Sequence, residues 1–360
     1  MFIALRALAL VVLAAICSPS FSQDLSNLSI ATGQKDGTYY RFGQDISRVV
    51  QEVCSGSLQV KESAGSLANL RRLRNEPFTQ LAIVQSDVLN FVVVNSEASR
   101  EFGDYYKRFK IVYPLYQEEI HVVTKRGSGI RTLSDLAGRR VAIGEPDSGT
   151  KLTSILLLRS LNLQVDQVEI KPSVALGRLL GQGQDIDAFI AVGGKPYPLL
   201  DIDANEGRDL ELVPITEPEV FNIYNRTTIR ADDYRWLQHD VPGASLSAVL
   251  ITFDFQGQNC ENIGIVAKAI KRYLDELQRT GHPKWNAVTL QASVPGWEPY
   301  RCVADESRVL RILPGRRCAL VGPGGSTSGQ TDDQKACGCD KYKDEAQRAI
   351  CRLQCPSRQQ

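Results

Sequence analysis

From Leu28 onward, short runs of aliphatic and β-branched residues alternate with stretches whose apolar positions recur every three or four residues. The run "LSIATG" is followed by Ile46, Val49, Val50 and Val53 at helical spacing, then by "LQVKES", "SLANLRRL" and "QLAIVQS". Strand, helix, strand, helix, strand predicts a parallel sheet with helices on its faces, because parallel neighbours need a crossover connection. The segment "RFKIVYPLYQEEIHVVTKRG" breaks this rhythm with two strand-like runs back to back, which marks a crossing between domains. A second alternating series follows in "TLSDLAGRRVAIG", "GTKLTSILLLRSL", "QVEIKPS", "VALGRLL" and "IDAFIAV", closing on "LELVPI". After Pro242, "SLSAVLITFDF" reads as a buried strand. Ile263, Val266, Ala267, Ile270, Leu274 and Leu277 then line one face of a single long amphipathic helix.

The pattern assigns an α/β fold in two lobes: lobe I from residues 23–117 and 243–321, lobe II from residues 118–242. A chain of 360 residues with 43% hydrophobic content favours two domains over one. The stretch "GPGGSTSGQTDD" reads as a flexible linker over residues 322–334, followed by a cysteine-rich tail over residues 335–360.

The N-terminus carries one positive charge, Arg6, an apolar core from Ala7 to Ile16, and small residues at Ser20 and Ser22. This is the shape of a secretory signal over residues 1–22, cleaved near Ser22, with an apolar core too short to span a bilayer. Ile16 is too bulky for Cys17 to be a lipid attachment site. Removal of Arg6 with the signal lowers the formal net charge from +1 to zero, a balance that argues against nucleic acid as a partner. Of nine cysteines, eight remain after cleavage, an even number that reads as disulfides in an exported protein. Cys54 with Cys260, and Cys302 with Cys318, are the pairings expected in the body. In the tail, Cys337 with Cys355 and Cys339 with Cys351 is the simplest nested arrangement, with structural zinc as the rival.

Ligands of open parallel sheets sit where strands end and helices begin. Three such junctions carry glycine and hydroxyl residues: "IATGQKDGTYYRFG" with Gly37 and Thr38, "KESAGSLANL" with Gly65 and Ser66, and "GEPDSGTKLT" with Ser148, Gly149 and Thr150. Each loop alone reads first as a capping turn. Their coincidence in both lobes suggests a bound anion, held by backbone amides and the positive ends of helix dipoles. Lys35, Lys61 and Lys151 lie nearby and read equally as solvated surface charges. Asp87 in "VQSDV" is either a helix cap or a partner for a ligand ammonium.

Catalytic chemistry finds little support. His121, His239 and His282 show no metal-ligand spacing, and no nucleophile elbow, Walker loop or HExxH helix occurs. His121 reads as a packed strand residue, and Asp185 with Asp187 as a turn and strand start. We expect no enzyme, no cofactor and no metal.

The ordered series "IATGQKDGTYYRFG", "ESAGSLANLRRL", "LAIVQSDV", "TLSDLAGRRVAIGEPDSGT" and "IDAFIAVGGKP" resembles the TAXI family of TRAP transporter solute-binding proteins, from about Leu28 to Leu290. The resemblance implies a type II periplasmic binding protein fold with a hinge, and capture of a small organic anion such as glutamate or 2-oxoglutarate by lobe closure. It also implies a periplasmic location, a TRAP membrane permease as partner, and a monomer. Carried over by position, the cleft residues are Gly37, Thr38 and Tyr39; Gly65, Ser66 and Asn69; Gln85 and Asp87; Ser148, Gly149 and Thr150; and Gly193 with Gly194. Tyr39 would supply a hydroxyl and a flat wall. The alternative is a periplasmic sensor or docking protein that reuses the fold, with the cysteine-rich tail as its interaction module.

Overall fold

The computed structural model describes residues 25, 27–54, 56–94, 101–181, 185–313 and 317–322. The signal segment, Cys17, the linker and the tail with Cys337, Cys339, Cys351 and Cys355 lie outside the described residues.

Two parallel βαβ series are built as the apolar pattern predicts. In the first, β1 (Leu28–Ala31), α1 (Thr38–Cys54), β2 (Leu58–Lys61), α2 (Ser66–Asn75) and β3 (Leu81–Gln85) follow in order, with α3 (Ser86–Val94) directly after β3. In the second, β5 (Arg140–Ala142), α4 (Gly149–Ser160), β6 (Asp166–Val168), α5 (Pro172–Leu180) and β7 (Ala188–Gly193) do the same. Two long strands, β4 (Phe109–Lys125) and β10 (Val241–Phe253), join the series. The sheet runs β2-β1-β3-β10-β4-β7-β5-β6, with β8 (Leu210–Leu212), which follows the short helix α6 (Ala204–Gly207), on β4 and β9 (Asn225–Ile229) on β10. Each series therefore has its first strand between the second and third, and meets an antiparallel long strand at its third.

The cores separate along the long strands. One apolar cluster takes β4 up to Tyr116 and β10 from Ala248 onward, together with β1, β2, β3 and α1. Two others begin at Ile120 on β4, end at Leu246 on β10, and cover both faces of β7. Between them the β4–β10 register slips, with Ser247 opposite Gln117 but Val249 opposite Pro114. One extra residue on β4 at this point makes a bulge that bends the strand between the lobes.

Two elements differ from the sequence expectation. The "FKIVYPLYQEEIHVVTK" segment is one strand of 17 residues, because β4 serves both lobes without interruption. The expected single long helix is two: α7 (Gly257–Arg272) ends at Tyr273, whose φ of −109° and ψ of 20° leave the helical region, and α8 (Leu274–Thr280) restarts from it.

The disulfide pairing is corrected as well. Cys54, at the end of α1, bonds Cys318 on β12 (Arg317–Val321), with their Cα atoms 5.1 Å apart. Cys260 on α7 bonds Cys302 on the short helix Arg301–Ala304, with Cα atoms 5.7 Å apart. The reason is packing: Gly264, one turn along α7, lets that helix approach the Cys302 backbone, while β12 lies against α1. The hairpin of β11 (Val309–Leu313) and β12 is thereby strapped to the first lobe.

Candidate functional site

The connections after β1, β2, β5 and β6 all run from strand carboxyl ends into helix N-termini, and they converge on one cavity of ≈ 90 Å³. It is lined from the first lobe by Gly37, Thr38, Tyr39, Gly65, Ser66 and Gln85, and from the second by Ser148, Gly149, Thr150 and Gly193. Ten of the sequence-derived candidates thus line a single cavity. The remaining three do not line it.

Asn69 is fully buried beneath the cavity, where its amide donates to the carbonyls of Thr32 and Ile83 and its side-chain oxygen accepts from Ser63. It ties the β1 and β2 connections to β3. Asp87 points across to the other lobe, accepting from Thr153 Oγ1 at 2.7 Å and from the Tyr224 hydroxyl at 3.1 Å. Gly194 packs against Lys284 and Tyr116.

The lobes are closed on one another. Gly65, at φ 126° and so in a backbone region that favours glycine, brings its α-carbon side against the Gly149 amide; a Cβ there would sit 3.3 Å from that nitrogen. A Cβ on Gly149 would overlap the Gln85 side-chain oxygen and lie 2.6 Å from Ser66 Oγ. Asp147, itself at φ 65°, accepts from the Ala68 amide through its carbonyl at 3.1 Å and pairs with Arg71 through its carboxylate. Gln34 donates to Glu145 at the opposite rim.

The two serine hydroxyls expected to meet a solute are already engaged, whereas the Thr38 hydroxyl on the cavity wall is buried and has no hydrogen-bond partner among the described residues. Ser66 Oγ accepts from the Gln85 amide at 3.0 Å and donates to its side-chain oxygen at 3.3 Å. Ser148 Oγ caps α4 by accepting from the Lys151 amide at 3.0 Å, and donates to the Glu145 carbonyl at 2.7 Å. No side chain caps α2 or α5. What these turns offer the cavity is therefore backbone N–H groups and helix dipoles, with the Thr38 hydroxyl beside them.

The three lysines near the turns take the surface alternative, each beside an acidic neighbour. Lys35 faces Glu62 at 3.9 Å, Lys61 pairs with Glu76 at 3.0 Å, and Lys151 pairs with Glu169 at 2.7 Å. None of the three lines the cavity, and neither does any other lysine, arginine or histidine among the described residues. The lining instead includes Glu118, Glu145 and Asp36. Glu118 is 3% exposed; burial pushes its pKa up to about 8 against the opposing hydrogen bond from Tyr39, whose hydroxyl donates at 2.6 Å. Burial also raises Glu145, with Gln34 and Lys171 acting the other way.

Further lining comes from Tyr197, Pro172 and Ser173. The Pro172–Ser173 start of α5 was legible as a helix N-terminus in "KPSVALGRLL", since proline suits the first helical position. Glu118 also had a signal, in the polar "QEE" that interrupts an apolar strand. His121 is fully buried, contacts the Tyr234 hydroxyl at 2.7 Å through Nε2, and has its pKa lowered to about 4 by burial. It packs in the strand as expected. No group of three or more side chains suited to a metal ion occurs among the described residues.

A sequence model of the NMT1-like family matches residues 30–295, a span that contains every lining residue. The chain belongs to the NMT1-like family. Among solved structures, this NMT1-like chain is similar to MatC from Rhodopseudomonas palustris with bound malate, at 14% identity over 73% of this chain and 89% of that one, with a TM-score of 0.47. It is similar also to ArtJ, the arginine-, lysine-, histidine-binding protein from Geobacillus stearothermophilus (13% identity, 70% and 91% covered, TM-score 0.43). A third likeness is to the substrate binding protein of an amino acid ABC transporter (14% identity, 72% and 95% covered, TM-score 0.41). Among the described residues of the NMT1-like chain, no helix is long and apolar enough to cross a membrane.

Proposed function

We propose that this NMT1-like protein is an exported solute-binding protein of the TAXI type, which traps a small carboxylate between its lobes and delivers it to a TRAP-type membrane permease. The observation that carries the reading is the meeting of α1, α2, α4 and α5 N-termini, two from each lobe, around one cavity. Helix N-termini attract negative charge through unpaired N–H groups and the macrodipole. A carboxylate held by both lobes favours the closed arrangement over an open one, because only the closed state brings all four ends together. The reading is of binding without turnover. Glutamate and 2-oxoglutarate, the solutes implied by the resemblance, both carry the required carboxylate.

The test is a thermal-shift and calorimetric screen of the mature chain against carboxylates, oxoacids and amino acids. A ligand that binds the folded state alone raises the melting temperature by mass action, with about 2.7 kcal/mol of added stability at a hundredfold excess over Kd. A well-folded protein that responds to none of them overturns the reading.

A further inference from the structure

Glu118 and Glu119 are adjacent on β4, both nearly fully buried, and their surroundings differ in one respect. Glu119 accepts from the Lys284 ammonium at 3.0 Å and from the Lys195 amide at 2.8 Å. Glu118 accepts from the Tyr39 hydroxyl, and among the described residues it has no cation of its own. Strand pleating turns neighbouring side chains to opposite faces, so one carboxylate meets the Lys284 side and the other lines the cavity. Burying an ionised carboxylate without a counter-ion is costly, and buried charges in native proteins are paired. The basic residues around the cavity pair with carboxylates other than Glu118: Lys151 with Glu169, Lys171 with Glu145 at the cavity rim, Arg71 with Asp147 and Glu101, Lys284 with Glu119.

We propose that the missing cation is supplied by the solute: a primary ammonium group pairs with Glu118, so the cavity takes an amino-group-bearing carboxylate and rejects the corresponding oxoacid. The inference rests on the solute-binding reading and narrows it. The zwitterion's carboxylate lies at the helix N-termini and its ammonium at the β4 floor. Tyr39, which donates to one Glu118 oxygen, orients the carboxylate. The groups that bias the charge of Glu118 are Tyr39, Asp87, Glu119 and Lys284. Glu118 is raised in the absence of a cation and must ionise to form the pair, so binding near pH 7 releases a proton.

The experiment is isothermal titration of the mature chain, dialysed free of co-purified solute, with matched pairs: L-glutamate and 2-oxoglutarate, L-alanine and pyruvate, L-leucine and 4-methyl-2-oxopentanoate. At least one amino acid is expected to bind ten times or more tightly than its oxoacid, and Glu118→Gln is expected to abolish that preference. Should the variant fail to fold, titration of the unaltered protein in two buffers of different ionisation heat replaces it, with up to one proton released per solute bound. An oxoacid that binds as well as its amino acid, a preference that survives Glu118→Gln, or binding without proton release overturns the proposal. So does silence from all six compounds. Mass spectrometry of the denatured exported protein separates the two levels. A recovered carboxylate without an amino group sinks the ammonium assignment alone, and a protein that binds and carries no small molecule sinks the solute-binding reading with it.

Discussion

In the unliganded folded protein Glu118 keeps its proton up to a pKa of about 8, whereas in the unfolded chain it ionises near 4.5. The folded state therefore binds more protons across that interval, and stability falls as pH rises through it. The buried Asp87 and Glu119, also raised by burial, act with the same sign. His121 acts oppositely below its ordinary value of 6.5, because its folded pKa lies near 4 and acid favours the unfolded, charged form. The window from pH 6.5 to 8 is thus the clean one. Thermal unfolding without solute is expected to show a falling melting temperature there, and Glu118→Gln to flatten the slope; parallel curves for the two proteins would refute this account. Gly149→Ala places a methyl group against Gln85 and Ser66 of the other lobe. Solute affinity is expected to drop at least about tenfold, or about 1.4 kcal/mol, measured by calorimetry, with both lobes still folded. The glycine turns were legible in the sequence because so few residue types fit them. Asn69 and Asp87 were less so: a polar side chain near a cleft serves backbone carbonyls or the opposite lobe as readily as a ligand, and only the fold distinguishes these uses. For Lys35, Lys61 and Lys151 the sequence left both a cleft and a surface role open, and each reaches an acidic neighbour outside the cavity.

At the scale of elements, the alternating apolar runs located both βαβ series, since hydrophobic period follows directly from which faces are buried. The long strand was harder. Gln117, Glu118 and Glu119 interrupt an apolar run and look like a boundary between two strands, yet backbone pairing continues through them because β4 passes under the cavity at that point. The break between α7 and α8 left no proline or glycine to announce it. Disulfide partners were illegible for a related reason, since the Cys54 and Cys318 α-carbons become neighbours only when α1 and β12 pack. A cross-link between residues separated by 264 positions constrains the unfolded chain strongly. The double variant Cys54→Ala, Cys318→Ala is expected to lose about 2–4 kcal/mol in denaturant unfolding. Since neither residue lines the cavity, the folded fraction should keep its solute affinity.

For the whole molecule, the relation between the lobes matters most. Asp87 on α3 is the buried acceptor that joins the first lobe to Thr153 and Tyr224 of the second. Tyr224→Phe removes one of these hydrogen bonds, worth about 1.5–3 kcal/mol where an ionised group takes part. The closed fraction without solute should fall, and apparent affinity with it, since only the closed form is competent. Small-angle scattering is expected to give a larger radius of gyration for unliganded Tyr224→Phe, returning to that of the unaltered protein at saturating solute. Identical radii in both states would show that the contact does not bias closure.

The pairing of Cys54 with Cys318 orders events during synthesis. Cys54 emerges early and its partner only after the entire second lobe and α7 have been made, while Cys260 and Cys302 follow each other within 42 residues. The first cysteine in the body that Cys54 can encounter is therefore Cys260, the wrong one. A nascent chain oxidised as it appears would trap that mismatch, and the native cross-links require either a delay until the last strand arrives or a thiol exchange that undoes the early bond.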